Sequence, residues 1–119
     1  MLNLSHKQLD VYKIAIKLVE EVYQHTKSFP TEERYVLTSQ LRRAAISVCS
    51  NIAEGCARKS KAEKNRFFEI SRSSLVEIDT QIEIAFVTQY LQLSQIKELE
   101  NYLERTFMML SKMIEKNAT

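Results

Sequence analysis

One glycine, Gly55, and one proline, Pro30, are all the backbone punctuation in this 119-residue chain. Tight hairpin turns need residues that tolerate positive φ, so a sheet-rich fold with many reversals is excluded and long helices remain. Cysteine and histidine are scarce, at two residues each, and tryptophan is absent. Cys49 and Cys56 lie seven positions apart; on one helix their α-carbons would be about 10 Å from each other, beyond the roughly 7 Å reach of a disulfide. There is no C-x-x-C pair and no histidine at metal-ligand spacing, so both thiols read as small core or boundary residues and no metal site is expected.

Long apolar runs are missing too. The longest uncharged stretch, Ile84 to Ile96, contains Thr88, Gln89, Gln92, Ser94 and Gln95, and falls short of the roughly 20 apolar residues that a membrane span needs. Met1 to Lys7 lacks the apolar block of a signal peptide, so a cytoplasmic location without membrane association is expected. The sequence carries no H-E-x-x-H, no glycine-rich phosphate loop, no G-x-S-x-G elbow and no E-x-x-H of a di-iron bundle. His6 and His25 read as residues on exposed helical turns, and the adjacent pairs Glu20–Glu21 and Glu32–Glu33 diverge by about 100° instead of sharing a site. No catalytic residue and no cofactor is assigned, and a non-enzymatic role is expected.

What is present is helical periodicity. With 45% hydrophobic and 27% charged residues, residues 1–119 form one domain around one continuous core. The expected fold is all-α, an antiparallel up-down-up-down four-helix bundle with helices at approximately 8–27, 32–54, 61–91 and 95–116. Phe29–Pro30 closes the first helix, Thr31 is the expected N-cap of the second, and Gly55 falls where a left-handed C-cap would end it. Ser60 and Glu63 make a capping box before the third, and Ser94 is the expected cap of the fourth. The third helix offers Phe67, Phe68, Ser71, Leu75, Ile78, Ile82, Ala85 and Phe86 as its core stripe. The fourth offers Ile96, Leu99, Leu103, Thr106, Phe107, Leu110, Met113 and Ile114. Leu37, Leu41, Ala45, Ile46, Val48, Cys49, Ile52 and Ala53 spread over about 180° of the second helix, which reads as buried on more than one side.

Two features stand out for function. On the second helix Gln40, Arg43, Ser47, Asn51, Glu54 and Arg58 lie within about 60° of Gln40, a continuous stripe of hydrogen-bonding side chains. It reads as an interhelical or intersubunit packing network, as a groove for a ligand, nucleic acid or partner chain, or, last, as a catalytic constellation, with Glu77 on the third helix as an added candidate. The second feature is the connector from Arg58 to Arg66, where Arg58, Lys59, Lys61, Lys64 and Arg66 face the single acid Glu63. From Glu69 to Glu104, by contrast, seven acids stand against two bases, so the overall charge of +2 conceals a strong polarity. Five clustered cations at a helix N-terminus make a phosphate-binding edge for RNA or DNA; a solvated turn and an acidic protein partner are the other readings.

The string from Gln40 to Val48, continued by Ser50-Asn51-Ile52-Ala53-Glu54-Gly55, Arg58 and Lys59-Ser60, resembles the small four-helix proteins encoded by intervening sequences of bacterial 23S ribosomal RNA genes. The similarity runs through Leu9-Asp10-Val11-Tyr12, Phe29-Pro30 with Glu33, Ser74-Leu75-Val76-Glu77 and Thr80-Gln81. Arg43, Ser47, Asn51, Glu54, Gly55, Arg58, Ser74 and Glu77 match the family pattern, whereas Tyr12 stands where the family often has tryptophan. The resemblance implies a homo-oligomer, a ring-like pentamer, with no assigned catalysis. It also implies kinship to the accessory variability determinant protein of diversity-generating retroelements, which binds nucleic acid and a reverse transcriptase. The wide apolar arc of the first helix, and Val76, Val87 and Leu91 on a second strip of the third, independently suggest surfaces that one bundle core cannot absorb.

Overall fold

The computed structural model describes residues 1–118. Four helices carry the fold: α1 (Asp10–Thr26), α2 (Leu37–Cys56), α3 (Lys61–Val87) and α4 (Lys97–Asn117), with short 3₁₀ turns at Ser5–Gln8, Thr31–Glu33 and Leu93–Gln95. Each helix buries the stripe its periodicity dictates: Val11, Ala15, Leu18 and Val22; Leu41, Ala45, Val48 and Ile52; Leu75, Ile78, Ile82 and Ala85; Leu99, Leu103, Leu110 and Ile114. Burying these stripes together closes a ring in which α2 packs on α3, α3 on α4, α4 on α1 and α1 on α2, with α2–α3 the most extensive contact. Neighbours run antiparallel. Along α2–α3, Val48 meets Ser71 and Ser47 meets Ser74, while Gly55 meets Phe68; across α3–α4, Arg72 reaches Ser111 and Asn65 reaches Ile114. No helix among the described residues is long and apolar enough to cross a membrane.

Local chemistry moves several boundaries from where periodicity alone puts them. Helix α2 starts at Leu37, not at Glu32, because Thr31–Glu33 forms a separate 3₁₀ turn and Val36, at φ −120° and ψ −97°, breaks the helical run. Thr31 caps nothing with its side chain. Glu33 takes that role: one carboxylate oxygen accepts the Leu37 N–H at 3.4 Å, and the other accepts the Tyr90 hydroxyl at 3.0 Å. The bond to Glu33 raises the Tyr90 phenol above its usual range, as does the negative charge around it. At Ser60 the expected cap forms, its hydroxyl accepting the Glu63 N–H at 3.1 Å, whereas Ser94 lies inside a 3₁₀ turn and makes no cap.

Gly55 is not a left-handed cap. It sits inside α2 without a positive φ, and its lack of a side chain serves the contact with α3. The left-handed residue is Gln89, at φ 69°. It ends α3 in a Schellman motif, in which the Tyr90 N–H donates to the Ala85 carbonyl at 2.8 Å and the Gln89 N–H to that of Phe86 at 3.0 Å. A residue with a β-carbon is strained there, so Gln89→Gly is expected to stabilise the fold by about 0.5–1 kcal/mol, net of the extra unfolded-chain entropy of glycine. A thermal melt should show the midpoint rising by a few degrees; a lower midpoint would mean the Gln89 side chain contributes more than its backbone strain costs.

The early stop of α3 also corrects Leu91. It is no part of an outer helical strip, since the chain has already turned and drives Leu91 into the core. Val76 and Val87 do lie outside, 54% and 70% exposed. Ile46, Phe86 and Phe107, placed in the core by periodicity, are exposed because the neighbouring helices do not reach round to them. His6 departs in the other direction: it is buried, with its ring edge-on to Tyr12 at 4.7 Å between centroids.

Candidate nucleic-acid interface and polar seam

The basic connector is built where α2 gives out at Cys56 and α3 begins at Lys61. Its five cations divide into two groups. Arg58 is 3.2 Å from a Glu54 carboxylate oxygen and its guanidinium carbon lies 4.6 Å from the Phe67 ring centroid. Arg66 approaches the same ring at 5.8 Å and Glu63 at 3.8 Å, and the Lys64 ammonium donates to the Cys56 carbonyl at 3.1 Å. Phe67 is thus a half-buried platform for two arginines rather than a core residue. Lys59 and Lys61 are exposed and have no partner among the described residues. They flank Ser60, at the N-terminus of α3 where the helix dipole favours an anion.

The stripe on α2 is not one site but three parts. In the middle, Ser47 and Asn51 are spent on packing: the Ser74 hydroxyl donates to that of Ser47 at 2.9 Å, and the Asn51 amide donates to the Ser47 hydroxyl and carbonyl at 3.0 and 2.9 Å. One turn deeper, the Ser71 hydroxyl donates to the Val48 carbonyl at 2.8 Å. These small residues let the two helices approach closely while satisfying their own polar groups. At one end of the stripe, Glu54 turns to Arg58 and joins the basic connector. At the other, Gln40, Arg43 and Glu77 stay exposed and line a groove of about 300 Å³ with Ala44, Ser47 and Ser74. A shallower groove continues along the same seam past Ser73, Ile70, Glu69 and Arg66.

Sequence reasoning missed Gln81. It is 7% exposed, beside Ile82 on α3, and its side-chain carbonyl oxygen is buried without a partner among the described residues. The signal available was its spacing: seven residues after Ser74, it repeats the polar position that faces α2.

The remaining reactive groups are muted. Burial pushes the Cys49 thiol up to about 12; Cys56 is raised as well, by burial and against the pull of Lys64, so neither is an activated thiolate. Both are free cysteines. His25, half-buried, lies 3.7 Å from Glu21 on its own helix. No group of three or more His, Cys, Asp or Glu among the described residues is placed to hold a metal ion.

Against known proteins, a family model described as 23S rRNA-intervening sequence protein matches residues 7–112. Among solved structures the chain is similar to a crystal structure from Bacteroides thetaiotaomicron VPI-5482, described as a protein with unknown function from the S23 ribosomal protein family. The TM-score is 0.80 at 20% identity, over 88% of this chain and 95% of that one, a likeness that establishes the fold. No curated protein matches.

Proposed function

This chain belongs to the 23S rRNA-intervening sequence protein family, and from that premise we propose that it is a non-enzymatic, homo-oligomeric bundle that binds RNA or DNA through its α2–α3 edge. Binding is through phosphates, without base readout. The observation that carries this reading is the exposure of Lys59 and Lys61, which have no partner among the described residues, beside a helix N-terminus and flanked by arginines already ordered on Phe67. Cations bound to their own protein's carboxylates contribute little to a polyanion, whereas each unpaired one that meets a phosphate releases about 0.7 counterion from a single strand and about 0.9 from a duplex. The segregation of acids onto α3 and α4 supports a single orientation, because a strand laid over Glu69–Glu104 would be repelled.

Oligomerisation is supported by the apolar surface that the monomer leaves open, and the family resemblance makes a pentamer the expected state. Val76, Phe107, Leu75 and Leu103 border an acid-rimmed groove between α3 and α4, and Ile84, Val87 and Met108 are exposed on the same two helices. A ring would repeat the basic edge around its axis and multiply a weak phosphate contact by avidity. The alternative reading is a protein-interaction scaffold that docks a partner chain on the polar face of α2; the open groove at Gln40, Arg43 and Glu77 favours it.

Size-exclusion chromatography with light scattering, with absorbance at 260 and 280 nm, tests the proposal at low and high salt. The expected result is a multimer near five protomers that carries nucleic acid at low salt and sheds it at high salt. A monomer free of nucleic acid under both conditions would overturn it, and a multimer free of nucleic acid would shift the weight to the scaffold reading.

A further inference from the structure

A second cluster of cations lies where α1 hands over to α2, at the end of α2 opposite the basic edge and about 30 Å from it along a 20-residue helix. We propose that this cluster is a phosphate-binding pocket, separate from the α2–α3 edge. Lys27, Arg34 and Arg42 line a cavity of about 330 Å³, the Thr31 and Thr38 hydroxyls add polar groups, and Phe29 with Pro30 forms its apolar wall. Among the described residues no carboxylate lines it.

Arg42 is held in place before any ligand arrives. Its Nε donates to the Thr26 hydroxyl at 2.9 Å, that hydroxyl donates in turn to the Val22 carbonyl at 2.7 Å, and the guanidinium lies 4.5 Å from the Tyr23 ring centroid. The terminal guanidinium nitrogens have no protein acceptor among the described residues, so a planar, preorganised fork is available for an oxyanion. Thr38 adds an open donor to the cavity wall. It is 8% exposed, lines the cavity, and neither its hydroxyl nor its first-turn amide finds a partner among the described residues. The hydroxyl is therefore available to donate to an oxyanion in the cavity.

The competing charges do not cancel the three cations. The C-terminus of α1 and the N-terminus of α2 carry roughly −0.5 and +0.5 elementary charge and offset each other. Glu33 is turned away, engaged by the Leu37 amide and the Tyr90 hydroxyl, and Glu32 is not among the residues that line the cavity. The surplus of cations, the donor geometry and the absence of acceptor side chains other than hydroxyls fit a phosphate group, carried either by a small phosphomonoester or by a nucleic-acid strand.

Amide chemical shifts of the full chain, titrated with inorganic phosphate, adenosine monophosphate and a short RNA lacking terminal phosphates, decide the matter. Sodium chloride at matched ionic strength is the control. Saturable shifts at Thr38 and Arg42 are expected, weakened at least about tenfold in Lys27→Gln/Arg34→Gln, a pair whose exposed side chains leave the fold intact. Response to the monoesters alone assigns a small ligand; response to the RNA, persisting in Lys59→Glu/Lys61→Glu, assigns a strand backbone at this pocket independently of the α2–α3 edge. Absence of saturation at Thr38 with all three probes, or equal affinity in the Lys27→Gln/Arg34→Gln protein, overturns the proposal.

Discussion

Lys59→Glu/Lys61→Glu is expected to weaken binding to a 20-nucleotide single-stranded RNA at least about tenfold at low salt. It should also flatten the dependence of log K on log salt by about 1.4, the release of two counterions at roughly 0.7 each. Fluorescence anisotropy over a sodium chloride series measures both numbers. Stability is not expected to follow: the two lysines are exposed and have no partner among the described residues, and glutamate near the start of α3 interacts favourably with the helix dipole. Thermal melts of the two proteins should therefore agree within a few degrees. Arg58 and Arg66, already committed to Glu54, Glu63 and Phe67, should give smaller losses when replaced by alanine. Lys64 is a poorer test, because its bond to the Cys56 carbonyl makes any change there structural as well. An affinity unaltered in the double variant, with an unaltered salt slope, would remove nucleic-acid binding from this edge.

The elements were legible where one local rule decided them. Ser60 and Glu63 announce the start of α3 because a capping box needs only four consecutive residues. The scarcity of glycine and proline forced helices, and the 3.6-residue period placed Leu18, Ile52, Ile78 and Leu110 in the core. The errors arose where a distant partner outbid a local preference. Glu33 caps α2 because Tyr90, 57 positions away, holds its other oxygen, and nothing near Thr31 reveals that. Gln89 takes a glycine's conformation because Leu91 must turn inward, so the outer strip of Val76, Val87 and Leu91 keeps its two valines and loses Leu91 to the core.

Candidate sites were legible to the same degree. A helical wheel finds the stripe from Gln40 to Arg58, but whether Ser47 and Asn51 are open or sealed depends on Ser74 of another helix. Charge counting finds five cations in the connector, and only the fold separates Lys59 and Lys61 from the three that are occupied. The pocket of Lys27, Arg34 and Arg42 escaped notice because its cations come from the end of α1, the intervening turn and the second turn of α2, with no contiguous basic run to mark it.

Gly55→Ala is expected to destabilise the bundle by about 1–2 kcal/mol, although the same change inside an unconstrained helix would stabilise it by about 1 kcal/mol. A β-carbon at Gly55 would lie 2.6 and 2.8 Å from two ring carbons of Phe68 and 3.1 Å from the Lys64 carbonyl. Phe68 is 3% exposed, and the Lys64 carbonyl belongs to the backbone of α3 and cannot swing aside, so the helices must separate locally. That separation also strains the adjoining turn, where Arg58 rests on Phe67 and Lys64 reaches Cys56; a weaker RNA contact should accompany the lost stability. Urea denaturation gives the energy, and a double-mutant cycle gives its origin. Phe68→Leu removes the offending ring, so Gly55→Ala introduced into that background should be neutral or stabilising, with a coupling of 1 kcal/mol or more between the two sites. If Gly55→Ala instead stabilises the unaltered protein, α2 and α3 do not meet at this distance, and the glycine serves neither packing nor the shape of the basic edge beside it.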